Sequence, residues 1–124
     1  MVSVLRGDDN FDSGVVNLRS WTSSNINWAR NTSYTINHTL GVVPKAFSVE
    51  YVCVSPYVGY AVGDTVFNMA ERYANWGQYV MLPTSTTFKL SMLSAGITYR
   101  RNDIEGGISN SNSTYFHVRV NLLG

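Results

Sequence analysis

This chain has one cysteine, three prolines, two histidines and few charges, and each shortage excludes something. The single thiol, Cys53, rules out an intramolecular disulfide. Within Tyr51-Val-Cys-Val-Ser55 it falls inside an expected strand, where a thiol acts as a small buried hydrophobe. His38 and His117 have no third nitrogen or thiolate donor at ligand spacing, so no metal site is expected. Of the eight carboxylates, Asp8, Asp9 and Asp12 crowd one loop and the others are scattered, so no pair suggests acid–base work. Asp8, Asn10 and Asp12 alternate as in a calcium loop, but the twelfth position is Arg19 where a bidentate Glu is needed. Asx turns account for the same spelling. The glycine-rich elements bend strands and precede no helix, so no phosphate cradle is expected. These absences predict no enzyme and no cofactor.

Charge is scarce in both signs. Charged residues make up 14% of the chain, against about 25% in a typical domain. Seven Arg and two Lys are spread along a chain of net charge +1, which leaves no basic stripe for nucleic acid. No window approaches the ~18 apolar residues of a membrane span, and no basic leader precedes an apolar core. The expectation is a chain made in the cytoplasm and kept soluble, without membrane insertion. Asn-x-Ser/Thr triplets begin at Asn31, Asn37 and Asn112, but without a secretory signal they have no chemical consequence.

What is present is Ser, Thr and Asn, with 13% aromatics. That mixture suits strands and turns, and it suits surfaces that meet another protein without desolvating charge. Tyr34, Ile36, His38 and Leu40 alternate with Ser33, Thr35, Asn37 and Thr39, the period-two signature of a strand with one buried face. Ala46 to Ser55 places Phe47, Val49, Tyr51 and Cys53 on one face and Val52 and Val54 on the other, which predicts a strand covered on both sides. Phe116, Val118, Val120 and Leu122 define a C-terminal strand over 115–122. Further strands are expected at 2–5, 15–21, 26–29, 65–68, 78–82, 86–92 and 97–101. Residues 69–76 lean towards helix or loop, and 102–113 has the composition of a loop. The prediction is one all-β domain over 1–124, an antiparallel β-sandwich of about eight to ten short strands of lectin or fibre-knob type. Residues 1–14 would be an N-terminal arm and loop, an arm able to pair with a neighbouring subunit.

One phrase exceeds what turn geometry demands. His38-x-Leu40-Gly41-x-x-Pro44, a β run, then Gly59-Tyr60-x-Val-Gly63-Asp64 resembles the C-terminal β-domains of tailed-bacteriophage tail fibres and related virion surface proteins. The match covers roughly residues 34 to 68 well and the rest loosely. The resemblance implies a homotrimer at the virion surface, partnered by capsid or tail proteins. It also implies that His38 pins a turn by hydrogen bonding or, in some relatives, lines an axial channel. Because the sandwich would begin almost at Met1 and end at Gly124, a self-contained head decoration or cement protein, short fibre or fibre tip is expected rather than a full tail fibre.

Binding residues are sought among the aromatics. Tyr57 with Tyr60, and the run Tyr73, Asn75, Trp76, Gln78, Tyr79, combine aromatic platforms with amide groups. Such sets serve subunit interfaces or glycan stacking, with interface packing preferred here. The expected function is therefore a non-enzymatic structural protein of a phage particle. The alternative is a lectin-like receptor-binding protein that recognises host cell-surface glycan.

Overall fold

The computed structural model describes residues 19–67 and 75–124. Nine strands form among them: β1 (Ser20–Thr22), β2 (Ser33–Asn37), β3 (Ala46–Cys53), β4 (Thr65–Phe67), β5 (Gln78–Met81), β6 (Thr87–Met92), β7 (Ile97–Arg100), β8 (Gly107–Asn110) and β9 (Phe116–Leu123). No helix occurs among the described residues. The strands pair antiparallel into a four-stranded sheet, β1-β9-β3-β4, a three-stranded sheet, β2-β6-β5, and a ribbon, β7-β8. The sheets pack face to face as a β-sandwich.

Alternation makes the core. From β9 come Phe116, Val118, Val120 and Leu122, and from β3 come Val49, Tyr51 and Cys53, all buried. They meet Phe88, Leu90 and Met92 of β6, with Tyr34, Ile36 and Val80 packed against the same cluster. Tyr51 crosses between the sheets and donates its hydroxyl to Gln78 Oε1 at 2.8 Å, so the one polar tip in this layer is satisfied. Burial raises the phenol's pKa above its ordinary value, which keeps it a donor.

The outer face of the four-stranded sheet is different. Asn121 of β9 accepts from Thr22 Oγ1 at 2.9 Å and donates to Ser48 Oγ and Glu50 Oε1 at 3.1 Å, while Arg119 Nε donates to Glu50 Oε1 at 2.8 Å. The expected two-sided covering of β3 therefore holds for Val52, 4% exposed on that side, but its neighbours Ser48 and Glu50 build a polar network. Burial works against the Glu50 charge, but the hydrogen bonds from Arg119 and Asn121 and the Arg119 charge outweigh it, so the carboxyl titrates below its ordinary value. A depressed carboxylate pKa stabilises the fold above the unfolded value, and this stability is lost as pH falls through the folded one. Glu50→Gln should therefore flatten the fall in urea midpoint between about pH 5 and pH 3. An unchanged profile would remove this ion pair from the acid response.

Three sequence expectations change. Residues 26–29 form no strand. Ile26 makes one bridge to Val118, and the buried Trp28 then donates its indole N–H to Phe116 O at 3.0 Å, taking the carbonyl that a continuing strand would need. The 102–113 stretch contains β8, which pairs Ile108 with Tyr99. Its single apolar residue gave no period-two signal. Of 15–21, only the end is seen, as β1. The strand at 2–5, the calcium-like loop before Arg19, the 1–14 arm and most of 69–76 lie outside the described residues.

Candidate functional site

The two ends of the sandwich carry the two halves of the motif. At the first end, β2 leaves the sheet through His38. Its imidazole is 4% exposed, accepts the Leu40 N–H on Nδ1 at 3.1 Å and faces Thr84 O from Nε2 at 2.8 Å. A main-chain N–H donates, so Nδ1 is the bare nitrogen and Nε2 carries the proton. The ring is thereby fixed as one neutral tautomer joining the β2–β3 connection to the β5–β6 turn. Trp21 and Phe88 pack around the ring, with centroids 5.9 and 6.2 Å from it. His38→Ala would orphan a buried N–H and a carbonyl, and a loss of about 2 kcal/mol is expected in urea unfolding. A loss below half a kilocalorie would show that water replaces the ring.

Gly41 takes φ +84°, and a Cβ there would come within 2.6 Å of the Arg19 guanidinium, which donates to Leu40 O at 3.2 Å. Leu40 is buried, and the chain then runs out to Pro44. Pro44 helps wall an apolar cleft of about 220 Å³ at the mouth between the sheets, with Phe47, Val80, Pro83, Phe88 and Leu122. Lys45 brings the only charge in this lining.

Around that mouth the ordinary burial pattern is reversed. Phe47, on the core face of β3, is 55% exposed. Val43, next to Pro44, is 51% exposed. Leu82, next to Pro83, is 68% exposed and sits at φ 52°. A left-handed leucine is unfavourable locally, and full solvation of its side chain is unfavourable again. Leu82 thus departs from ordinary backbone and burial preference at one position, next to the cleft-lining Pro83.

The second end is built of tyrosines. Tyr57-Val58-Gly59-Tyr60 closes as a two-residue turn with reciprocal main-chain hydrogen bonds between the tyrosines, Val58 at φ 45° and Gly59 at φ 90°. Those signs match a type I′ hairpin turn, in which a β-branched first residue is strained. Asn102 holds the tip by donating to Val58 O and Gly59 O. Gly63, at φ 97°, and Asp64 make the following turn, in which the Asp64 carboxylate accepts the Ala61 N–H at 2.9 Å. Tyr60 packs edge-on against Tyr99 and Phe116. Tyr57 lies flat on Tyr115, with centroids 3.8 Å apart and planes within 8°.

The aromatic run proposed for binding does not converge. Gln78 and Tyr79 are strand neighbours, so they face opposite ways: Gln78 into the core to Tyr51, and Tyr79, 47% exposed, outward. Trp76 is half-buried and bridges Gly96, Tyr57 already covers one ring face with Tyr115, and Tyr73 lies outside the described residues. Residues missed in the sequence are Phe47 and Leu82. Leu82-Pro83 beside a turn was a signal, since an apolar residue there has no strand face to bury it.

The thiol and the second imidazole are separated by the sheet. Cys53 pairs with Phe116 on the core face and donates to Ser55 O at 3.2 Å, and burial pushes its pKa up, away from thiolate. His117 pairs with Val52 on the opposite face. Among the described residues no group of three His, Cys, Asp or Glu side chains gathers as metal ligands, and no helix is long and apolar enough to cross a membrane. In the comparisons with known proteins, no family model, no curated protein and no solved structure matches this chain.

Proposed function

We propose that this chain is a non-enzymatic structural module of a tailed-phage virion. In this proposal it is a homotrimeric β-sandwich mounted on the particle surface as a head decoration protein, short fibre or fibre tip. One observation carries the assembly part: Phe47, at the lip of an apolar cleft, and Val43 and Leu82, next to its lining residues Pro44 and Pro83, stand exposed at one end of a charge-poor sandwich. Apolar side chains left in solvent contribute nothing to a lone protomer, and covering their exposed part returns a share of the roughly 1.5–3 kcal/mol of full burial for each. Sister copies and a capsid or tail protein are the partners such an end fits. The phage part rests on the His38 to Asp64 motif, whose residues shape this end and the tyrosine turns at the other.

Sedimentation equilibrium of the purified chain tests the assembly. A mass of three times 13.8 kDa is expected, and a stable monomer at micromolar concentration would refute it. Peptide mass spectrometry of purified particles from the source phage tests the location.

A further inference from the structure

A second concavity lies away from the cleft and shares no lining residue with it. Among the described residues β1 is the edge of one sheet and β2 the edge of the other, and a groove of about 360 Å³ lies between them. One wall is Trp21, Ser24 and Ile26; the other is β2 from Tyr34 to Asn37. Trp21, Ile26, Tyr34 and Ile36 are all half-buried, so each keeps part of its apolar surface towards the opening. No lining residue carries a charge.

The polar groups of the groove follow from strand register. Met92 N–H donates to Thr32 O and His38 N–H to Thr86 O, which places the even-numbered residues of β2 in hydrogen-bonded pairs with β6. Antiparallel alternation then turns the main-chain N–H and C=O of Thr35 and Asn37 away from β6, towards the open edge. The side chains of Ser24, Thr35 and Asn37 make no hydrogen bond among the described residues. The Tyr34 hydroxyl accepts the Ala29 N–H at 2.8 Å and keeps its own proton to donate.

We propose that this groove binds a neutral saccharide of one or two rings. A sugar presents an apolar C–H face for Trp21 and Tyr34, and hydroxyls that both donate and accept for the edge main chain of β2 and for Ser24. A charged ligand would lose hydration against walls that offer no counter-charge. A purely apolar ligand would leave the edge N–H and C=O groups unpaired. The wall of β2 spans four residues, about 13 Å, and the volume falls within the range of small-ligand sites. The proposal is independent of the assembly reading, since the two concavities share no residue.

The intact chain would be titrated with methyl α-D-glucopyranoside, methyl α-D-galactopyranoside, N-acetylglucosamine and lactose, following tryptophan fluorescence and saturation-transfer NMR. A saturable response to at least one sugar is expected. Ser24→Ala, and Thr35→Pro, which removes an edge N–H that lies outside the β2–β6 ladder, should each weaken it tenfold or more while leaving the solution mass unchanged. No response to any of the four sugars overturns the proposal, as does a response indifferent to both substitutions. Saturation by the uncharged peptide acetyl-Val-Thr-Val-Thr-amide with all four sugars inert would also overturn it and make the edge a peptide-pairing site.

Discussion

Gly96→Ala should cost the fold about 3 kcal/mol or more in urea unfolding, whereas Gly63→Ala should cost about 1 kcal/mol. Both glycines hold positive φ, +105° and +97°, so an alanine strains the backbone at either place. They differ in surroundings. A Cβ on Gly96 would lie 2.2 Å from Asn110 O and 2.7 Å from Ser111 Cα, whereas nothing lies within 4 Å at Gly63. Main chain cannot step aside as a flexible side chain can, and Gly96 is where the β7–β8 ribbon is fastened to the other strands. Its carbonyl accepts the Gly77 N–H at 2.7 Å, and its bridge to Trp76 crosses the same point. Relief of the clash would move β8 away and loosen Tyr99, which is fully buried against Phe116. Equal losses at the two glycines would mean that the approach of β8 to Gly96 is looser than described.

Leu82→Asn should weaken the proposed self-association by one to two orders of magnitude while leaving the protomer at least as stable. Asparagine tolerates the left-handed conformation that leucine adopts there at φ 52°, so the substitution relieves local strain by a few tenths of a kcal/mol or more. It also removes a side chain that is 68% exposed in the protomer and has little to lose by leaving. In an assembly the same leucine would be buried, and losing about 1.5–3 kcal/mol per contact weakens association by one to two orders of magnitude. Sedimentation equilibrium and thermal unfolding on one sample separate the two effects, since a folding defect would lower both. Phe47→Ser, at the cleft lip, should act in the same direction. A trimer that survives both substitutions together would place the subunit contact elsewhere on the molecule.

The strands with strict alternation were legible from spelling alone. Tyr34 to Leu40 and Phe116 to Leu122 put their apolar residues on one side and their polar residues on the other; the structure buries Phe116, Val118, Val120 and Leu122, half-buries Tyr34 and Ile36, and ends β2 at Asn37 before the buried His38 and Leu40. β8 was not legible. Gly107-Ile-Ser-Asn110 holds one apolar residue, and its strand state comes from partner Tyr99, whose hydroxyl meets the Asn110 amide. The segment at 26–29 failed in the opposite direction. Its apolar residues suggested a strand, but the Trp28 indole replaced a main-chain donor, a long-range contact that no local pattern announces. The candidate sites divide in the same way. The turns at Gly41, Gly59 and Gly63 were visible because glycine marks a backbone requirement. Tyr57, Trp76 and Tyr79 were plausible by composition only; Tyr57 stacks on Tyr115, Tyr79 stands exposed on β5 and Trp76 is half-buried beside Gly96.

The sequence by itself determined the all-β class, the two principal strand faces and the turn positions, because side-chain alternation and positive φ are requirements of the local backbone. Only the tertiary structure decided that His38 bridges two turns as one tautomer, that Phe47 and Leu82 stand in solvent beside a cleft, and that β1 and β2 leave a groove between them. Each of these depends on which strands become neighbours, and strand order is set by contacts between residues far apart in the chain. Trp21 and Tyr34 illustrate this: each looked like one more strand aromatic, and packing alone brought them to the same groove.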